Sequence, residues 1–312
     1  MTASPTKQLL PIANRPLVVT PAISEIVERA MTYLRTGLAV HLSGPAGTGK
    51  TTIALHLANL LERPAVFIEG DDQLTSTELV RGGASLHRHR VVDNYIRSVV
   101  RTDERLTESW AENWLTTACE KGYTLIYDEF TRSRPEANTV LLSVLEERVL
   151  VSTGIKEELH ILPVHPEFRA IFTSNPTEYV AVHKSPDALR DRMVTIMLEP
   201  LDAETETAIV KAHSHLPDED CRRIIRLVGA IRSGGKGTNP PSLRTAVNLA
   251  KILAQAKLAA DFSHRDVMRY CRDVFAPPAV ASPAVLADIL SGFAPKSPSG
   301  RETTHGSQAP RN

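Results

Sequence analysis

Residues Gly44-Pro45-Ala46-Gly47-Thr48-Gly49-Lys50-Thr51 fit the pattern G-x-x-x-x-G-K-[ST] at every fixed position. Such a loop binds a triphosphate. Its glycines let the backbone turn tightly, so that N–H groups point at phosphate oxygens. The N-terminus of a following helix adds partial positive charge. Lys50 is the residue to reach the β- and γ-phosphates, and the Thr51 hydroxyl is a ligand for Mg²⁺.

Hydrolysis needs a metal-side acid, a way to activate water, and positive charge near the γ-phosphate. Asp128-Glu129 follow the apolar run Tyr123-Thr124-Leu125-Ile126-Tyr127. Asp128 is the expected Mg²⁺-side carboxylate, acting through bound water. Glu129, one position on, is the expected general base. Asn175 follows the run Arg169-Ala170-Ile171-Phe172-Thr173 and Ser174. Its amide suits the attacking water and the γ-phosphate. Arg190, Arg192 and Arg244 are candidates for stabilising transition-state charge. Arg244 stands just after Ser242, which is expected to cap a helix.

Elements with a defined order must hold these groups. Leu38-Ala39-Val40-His41-Leu42 reads as the strand entering the loop, and Thr52 to Ala58 as the helix leaving it. Ala65–Glu69, Tyr123–Tyr127, Arg169–Thr173 and Met193–Leu198 read as further strands. Near-continuous apolar strands separated by helical stretches predict a parallel sheet covered on both faces. Pro21 to Arg35 reads as a helix, with Pro21 suited to its first turn. The expected organisation is an N-terminal arm at 1–20, an α/β nucleotide-binding domain at 21–200, a small all-helical lid domain at 201–276 and a largely disordered Pro/Ser-rich tail at 277–312. Arg222–Ile231 and Leu243–Leu258 carry the clearest helical spacing in the lid.

Composition narrows the function classes. Among 312 residues, Lys+Arg and Asp+Glu both number 36, which gives no support to a general nucleic-acid binder. Aromatic residues make up 5%, too few for a base-stacking platform. Cys119, Cys221 and Cys271 lack metal-ligand spacing and suit buried positions in a reducing, cytoplasmic setting. No run is long and apolar enough to span a bilayer, and residues 1–15 lack a secretory signal.

The ordered set of phosphate loop, Asp-Glu, strand-end Asn, Asp-Arg and helical-domain Arg resembles that of AAA+ ATPases. Asp128 to Glu136, continuing to Leu141-Leu142-Ser143-Val144-Leu145-Glu146-Glu147, resembles the MoxR-type branch. In that branch a hairpin follows, and Arg148–Ser152 with Glu158–Leu162 fits one. Within the branch the chain is similar to the gas vesicle protein N family. The similarity rests on Tyr127 to Asn138, Val91 to Val99, Thr173 to Tyr179, Val182-His183-Lys184 and Asp187-Ala188-Leu189. It covers roughly residues 17–275.

The resemblance implies an α/β P-loop AAA+ core with a helical lid, ATP and Mg²⁺ as cofactors, and a homo-oligomeric, hexameric ring. It implies ATP-driven remodelling of protein clients during gas vesicle assembly, with gas vesicle structural and assembly proteins as partners. The protein would be cytoplasmic or associated with the vesicles. Arg192 is implied as a finger entering the neighbouring subunit's site, with Arg190 competing for that role. Arg244 is implied as a second sensor. Two alternatives keep the nucleotide site and differ in its use. One is activation of a metalloenzyme or Rubisco with a partner protein, and the other is a nucleotide-dependent scaffold with little turnover. Arg81, Arg88, Arg90 and Arg97 lie in a stretch that reads either as a solvated loop or as a contact surface. His87 and His89 there are not expected to bind metal. Trp110 and Trp114, spaced i, i+4, are expected in the core.

Overall fold

The computed structural model describes residues 17–81, 114–153, 159–176 and 187–293. It divides into two compact units, 1–201 and 202–312. In the first unit the order is α1 (Pro21–Arg35), β1 (Ala39–Ser43), α2 (Lys50–Leu60), β2 (Ala65–Glu69), α3 (Ser76–Arg81), α4 (Trp114–Lys121) and β3 (Thr124–Asp128). A 3₁₀ turn (Phe130–Arg132) leads to α5 (Pro135–Asn138), α6 (Val140–Leu145), β4 (Val149–Thr153), β5 (Leu159–Pro163), β6 (Arg169–Ser174), α7 (Asp187–Arg190) and β7 (Met193–Met197).

Five strands form one sheet in the order β2-β3-β6-β1-β7, and every pairing is parallel. Alternation along the strands explains why both faces are covered. On β3, Leu125 and Tyr127 face one core while Ile126 faces the other; Ala170 and Phe172 against Ile171 repeat this on β6. One face packs on Met31 and Leu34 of α1 and Ile53 and Leu57 of α2. The opposite face packs on Leu115 and Cys119 of α4 and Leu141 and Val144 of α6. Each such side chain, fully buried, contributes about 1.5–3 kcal/mol relative to exposure. β4 and β5 form a separate antiparallel pair.

Register decides what meets at the top of the sheet. β6 lies between β1 and β3, with Leu42 opposite Thr173 and Tyr127 opposite Phe172. The chain therefore leaves β1, β3 and β6 at one edge, where ligands bind in open parallel sheets.

The second unit carries α8 (Ala203–Ser214), α9 (Asp218–Gly234), α10 (Leu243–Ala256), α11 (Arg265–Val274) and α12 (Pro283–Ser291). Asp202 caps α8, accepting from Thr205 N at 2.8 Å. Glu206 of α8 and Arg232 of α9 form a two-pronged ion pair, both contacts at 2.9 Å. Arg232 Nε also donates to Pro241 O at 2.9 Å, tying down the approach to α10.

The structure departs from two expectations. The expected tail at 277–312 holds a helix over Pro283–Ser291. Ser282 caps α12 by accepting from Val285 N at 3.4 Å, and Leu286 and Leu290 are buried, so an apolar face ordered by packing outweighs the Pro- and Ala-rich composition. Ser242 occupies the N-cap position of α10, but its side chain makes no capping hydrogen bond. Trp110, His87, His89, Arg88, Arg90, Arg97, the hairpin tip at Gly154, residues 1–16 and residues 294–312 lie outside the described residues. Trp114 begins α4 and packs against the core, and all three cysteines are buried and free.

Candidate functional site

The loop 44–49 is set by contacts at both ends. Gly44 N donates to Ser174 O at 3.3 Å, and Leu198 N donates to Ser43 O at 2.7 Å. A Cβ on Gly44 would stand 2.5 Å from Leu198 O, so only glycine fits. Gly49, with φ 82°, makes the left-handed turn into α2. Lys50 opens that helix, and its Nζ donates to Gly44 O at 2.9 Å and Pro45 O at 2.8 Å. The ammonium is thus enclosed by its own loop. No acidic residue of α2 itself stands in its first turn, whose positive end favours an anion.

Asp128 ends β3. Thr51 Oγ1 lies 2.9 Å from its Oδ1 and 3.0 Å from its Oδ2. Thr173 Oγ1 donates to Oδ1 at 2.5 Å and accepts from Glu129 N at 2.9 Å. The Thr51 hydroxyl and the Asp128 carboxylate converge from two elements. They form an all-oxygen donor pair that would suit a hard cation such as Mg²⁺. Among the described residues, no cluster of three or more His, Cys, Asp or Glu offers another metal site.

Glu129 is half-buried and has a left-handed backbone, φ 50°. Arg132 Nη1 donates to its Oε2 at 2.6 Å. Gly70 N donates to Asp128 O at 2.8 Å, and a Cβ on Gly70 would stand 2.2 Å from Glu129 O. The acid pair is therefore pressed from the β2 side by main chain. Asn175 follows β6 directly and is buried. Gly44–Thr51, Asp128, Glu129 and Asn175 thus all stand at the ends of β1, β3 and β6, which are neighbours in the sheet.

Comparisons with known proteins bear on this arrangement. A family model described as an AAA domain of the dynein-related subfamily matches residues 39–193. The chain is 41% identical over 265 residues to the gas vesicle ATPase GvpN of Ancylobacter aquaticus, covering 85% of this chain and 74% of that one. It belongs to the GvpN family of AAA+ ATPases. The gas vesicle ATPase GvpN2 of Halobacterium salinarum is 39% identical over 260 residues, covering 83% of this chain and 74% of that one. A RuvB mutant of Thermotoga maritima aligns with TM-score 0.51 at 16% identity, over 84% of this chain and 72% of that chain, and shares the fold.

Two of the arginine candidates in this GvpN-family chain belong to the α/β unit. Arg190 ends α7 and is exposed. Arg192 stands in the turn before β7. Its Nε donates to Glu146 Oε2 at 2.7 Å, Nη2 bonds the same oxygen, and Nη1 donates to Ala188 O at 2.5 Å. Arg244 is exposed on the first turn of α10 in the helical unit.

Sequence reasoning assigned no role to Thr173, Arg132, Glu146, Gly70 or His41. No short window of sequence marked Thr173, a buried hydroxyl on the central strand opposite Leu42 of β1. His41 is buried on β1, its Nδ1 3.0 Å from Thr195 Oγ1 and its Nε2 2.8 Å from Ser174 Oγ. Its ring stands edge-on to Phe130, with centroids 5.2 Å apart. Burial, reinforced by the Arg190 charge, pushes its pKa down to about 4. It is neutral at ordinary pH and pins the three strands β6, β1 and β7 together. Among the described residues, no helix is long and apolar enough to cross a membrane.

Proposed function

We propose that this GvpN-family ATPase hydrolyses ATP at the edge formed by β1, β3 and β6, and that turnover drives remodelling of protein clients during gas vesicle assembly. The convergence of Thr51 and Asp128, at 2.9 and 3.0 Å, is the observation that carries the catalytic half. The names of relatives in two organisms support the gas vesicle half.

The loop 44–49 and Lys50 bind the β- and γ-phosphates. Thr51 and Asp128 hold Mg²⁺, which when bound neutralises charge on the phosphate oxygens. Glu129 takes a proton from water as the water oxygen bonds to the γ-phosphorus. The bond from that phosphorus to the ADP oxygen breaks, giving ADP and phosphate. Asn175 orients the water and a γ-phosphate oxygen. Arg192, or Arg190, reaches the site of a neighbouring copy in a hexameric ring, and Arg244 acts as a second sensor.

The test is replacement of the gene in a vesicle-forming host by Lys50→Ala or Glu129→Gln. Loss of vesicles with both variants, at parental protein levels, supports a turnover-driven role. Vesicles from Glu129→Gln but not from Lys50→Ala would make it a nucleotide-dependent scaffold, and vesicles from both would overturn the proposal.

A further inference from the structure

His41 stands in the middle of β1, a strand that is buried along its whole length. Both ring nitrogens have partners on neighbouring strands: Nδ1 lies 3.0 Å from Thr195 Oγ1 and Nε2 lies 2.8 Å from Ser174 Oγ. A neutral imidazole donates at one nitrogen and accepts at the other, and a hydroxyl can meet either. The ring therefore leaves no polar group unpaired in the interior. An aliphatic side chain would fill the same place without needing partners, so the hydrogen bonds are what a histidine adds here.

The two partners differ in where they lie. By register His41 is opposite Thr195 on β7 and opposite Phe172 on β6. Ser174 is two residues beyond Phe172, so the Nε2 bond runs toward the edge that carries the phosphate loop. Ser174 is the last residue of β6, and Asn175 follows it out of the sheet. The main-chain oxygen of Ser174 accepts from Gly44 N at 3.3 Å, at the long end for such a bond. Its hydroxyl lies 3.4 Å from Ser43 Oγ and 2.8 Å from His41. Of these three contacts the imidazole's is the shortest.

We propose that His41 is a positioning residue for ATP hydrolysis: through Ser174 it fixes the course of the chain at Asn175, and so the placement of the Asn175 amide against the attacking water. This rests on Asn175 orienting that water. A misplaced orienting group costs rate more than binding. The phosphate loop keeps its own ties, from Lys50 Nζ to Gly44 O and Pro45 O, so affinity for ATP does not depend on the imidazole.

The test compares steady-state ATP hydrolysis by the full-length parent, Ser174→Ala, His41→Leu, His41→Gln, Asn175→Ala and the double variant Ser174→Ala/Asn175→Ala, with circular dichroism to establish folding. Ser174→Ala and His41→Leu are each expected to lower kcat about fivefold or more, with KM for ATP within about twofold. Ser174→Ala deletes a single oxygen, and it decides the matter should His41→Leu fold poorly. His41→Gln can place an amide nitrogen near the Nε2 position and is expected to keep more of the parental kcat than His41→Leu. The double variant is expected to be as slow as Asn175→Ala alone, because a group that acts through Asn175 adds nothing once that amide is gone. A merely structural loss would instead multiply with that of Asn175→Ala. A folded Ser174→Ala with parental kcat, losses that multiply in the double variant, or a folded His41→Gln no faster than His41→Leu overturns the positioning role while leaving Asn175 its own. Undiminished turnover by Asn175→Ala overturns the assignment of Asn175 and the role of His41 with it.

Discussion

The Thr51 hydroxyl lies within hydrogen-bond reach of both oxygens of the Asp128 carboxylate, at 2.9 and 3.0 Å. The two residues are far apart in sequence and come from the first turn of α2 and the end of β3. Neither is the other's neighbour in the sheet. β6 stands between β1 and β3, and its Thr173 closes the gap by bonding Asp128 at 2.5 Å.

Removing one side of this pair tests its proposed role in holding Mg²⁺. Thr51→Ala is expected to raise the Mg²⁺ concentration needed for half-maximal hydrolysis about tenfold or more, since it deletes a proposed oxygen ligand. The folded state should survive, because Asp128 keeps Thr173. Magnesium titration of ATPase rate, with circular dichroism as control, checks this. An unchanged magnesium requirement contradicts the assignment.

Gly70 makes a steric prediction. A Cβ there would stand 2.2 Å from Glu129 O and 2.8 Å from Glu129 C, both main-chain atoms that cannot rotate away. Gly70→Ala should cost about 1–3 kcal/mol in stability. It should also displace Glu129 and lower kcat more than it changes KM. Thermal melting with steady-state kinetics reads both, and a variant with parental kcat would show that the close approach is not needed for catalysis.

His41 makes a prediction about acid. Its pKa is about 4 in the folded protein, against 6.5 ordinarily, so the unfolded chain binds the proton first as pH falls. The neutral state is fully favoured above pH 6.5, and stability declines between there and about pH 4. Going from about pH 7.5 to about pH 5, this single group should remove about 2 kcal/mol. In urea unfolding, His41→Gln should be less stable at the higher pH but should lose correspondingly less on going to the lower one. Equal losses in parent and variant would contradict the reading.

Much of this site was legible in the sequence, for a physical reason. The phosphate loop is local: Gly44 to Thr51 meet their requirements within one turn and one helix start. Asp128, Glu129 and Asn175 could be placed because apolar runs end just before them, and strand ends are where a parallel sheet presents its groups. Residues that act across strands were not legible. Thr173 matters because register sets it beside Asp128, and register is not written in any short window. Arg132 and Glu146 were visible within a family-like segment, but their partners, Glu129 and Arg192, emerge only with side-chain geometry. Composition misled at α12, where Ser282 as a cap and two buried leucines make a helix out of a Pro- and Ala-rich stretch.

In the proposed mechanism Glu129 performs base chemistry at a site whose nucleotide-binding parts are independent of it. Its most direct test is ATP hydrolysis by purified parent and Glu129→Gln, with nucleotide affinity measured on the same samples. kcat is expected to fall about a hundredfold or more while affinity for ATP is retained. Turnover by Glu129→Gln equal to the parent's would contradict it.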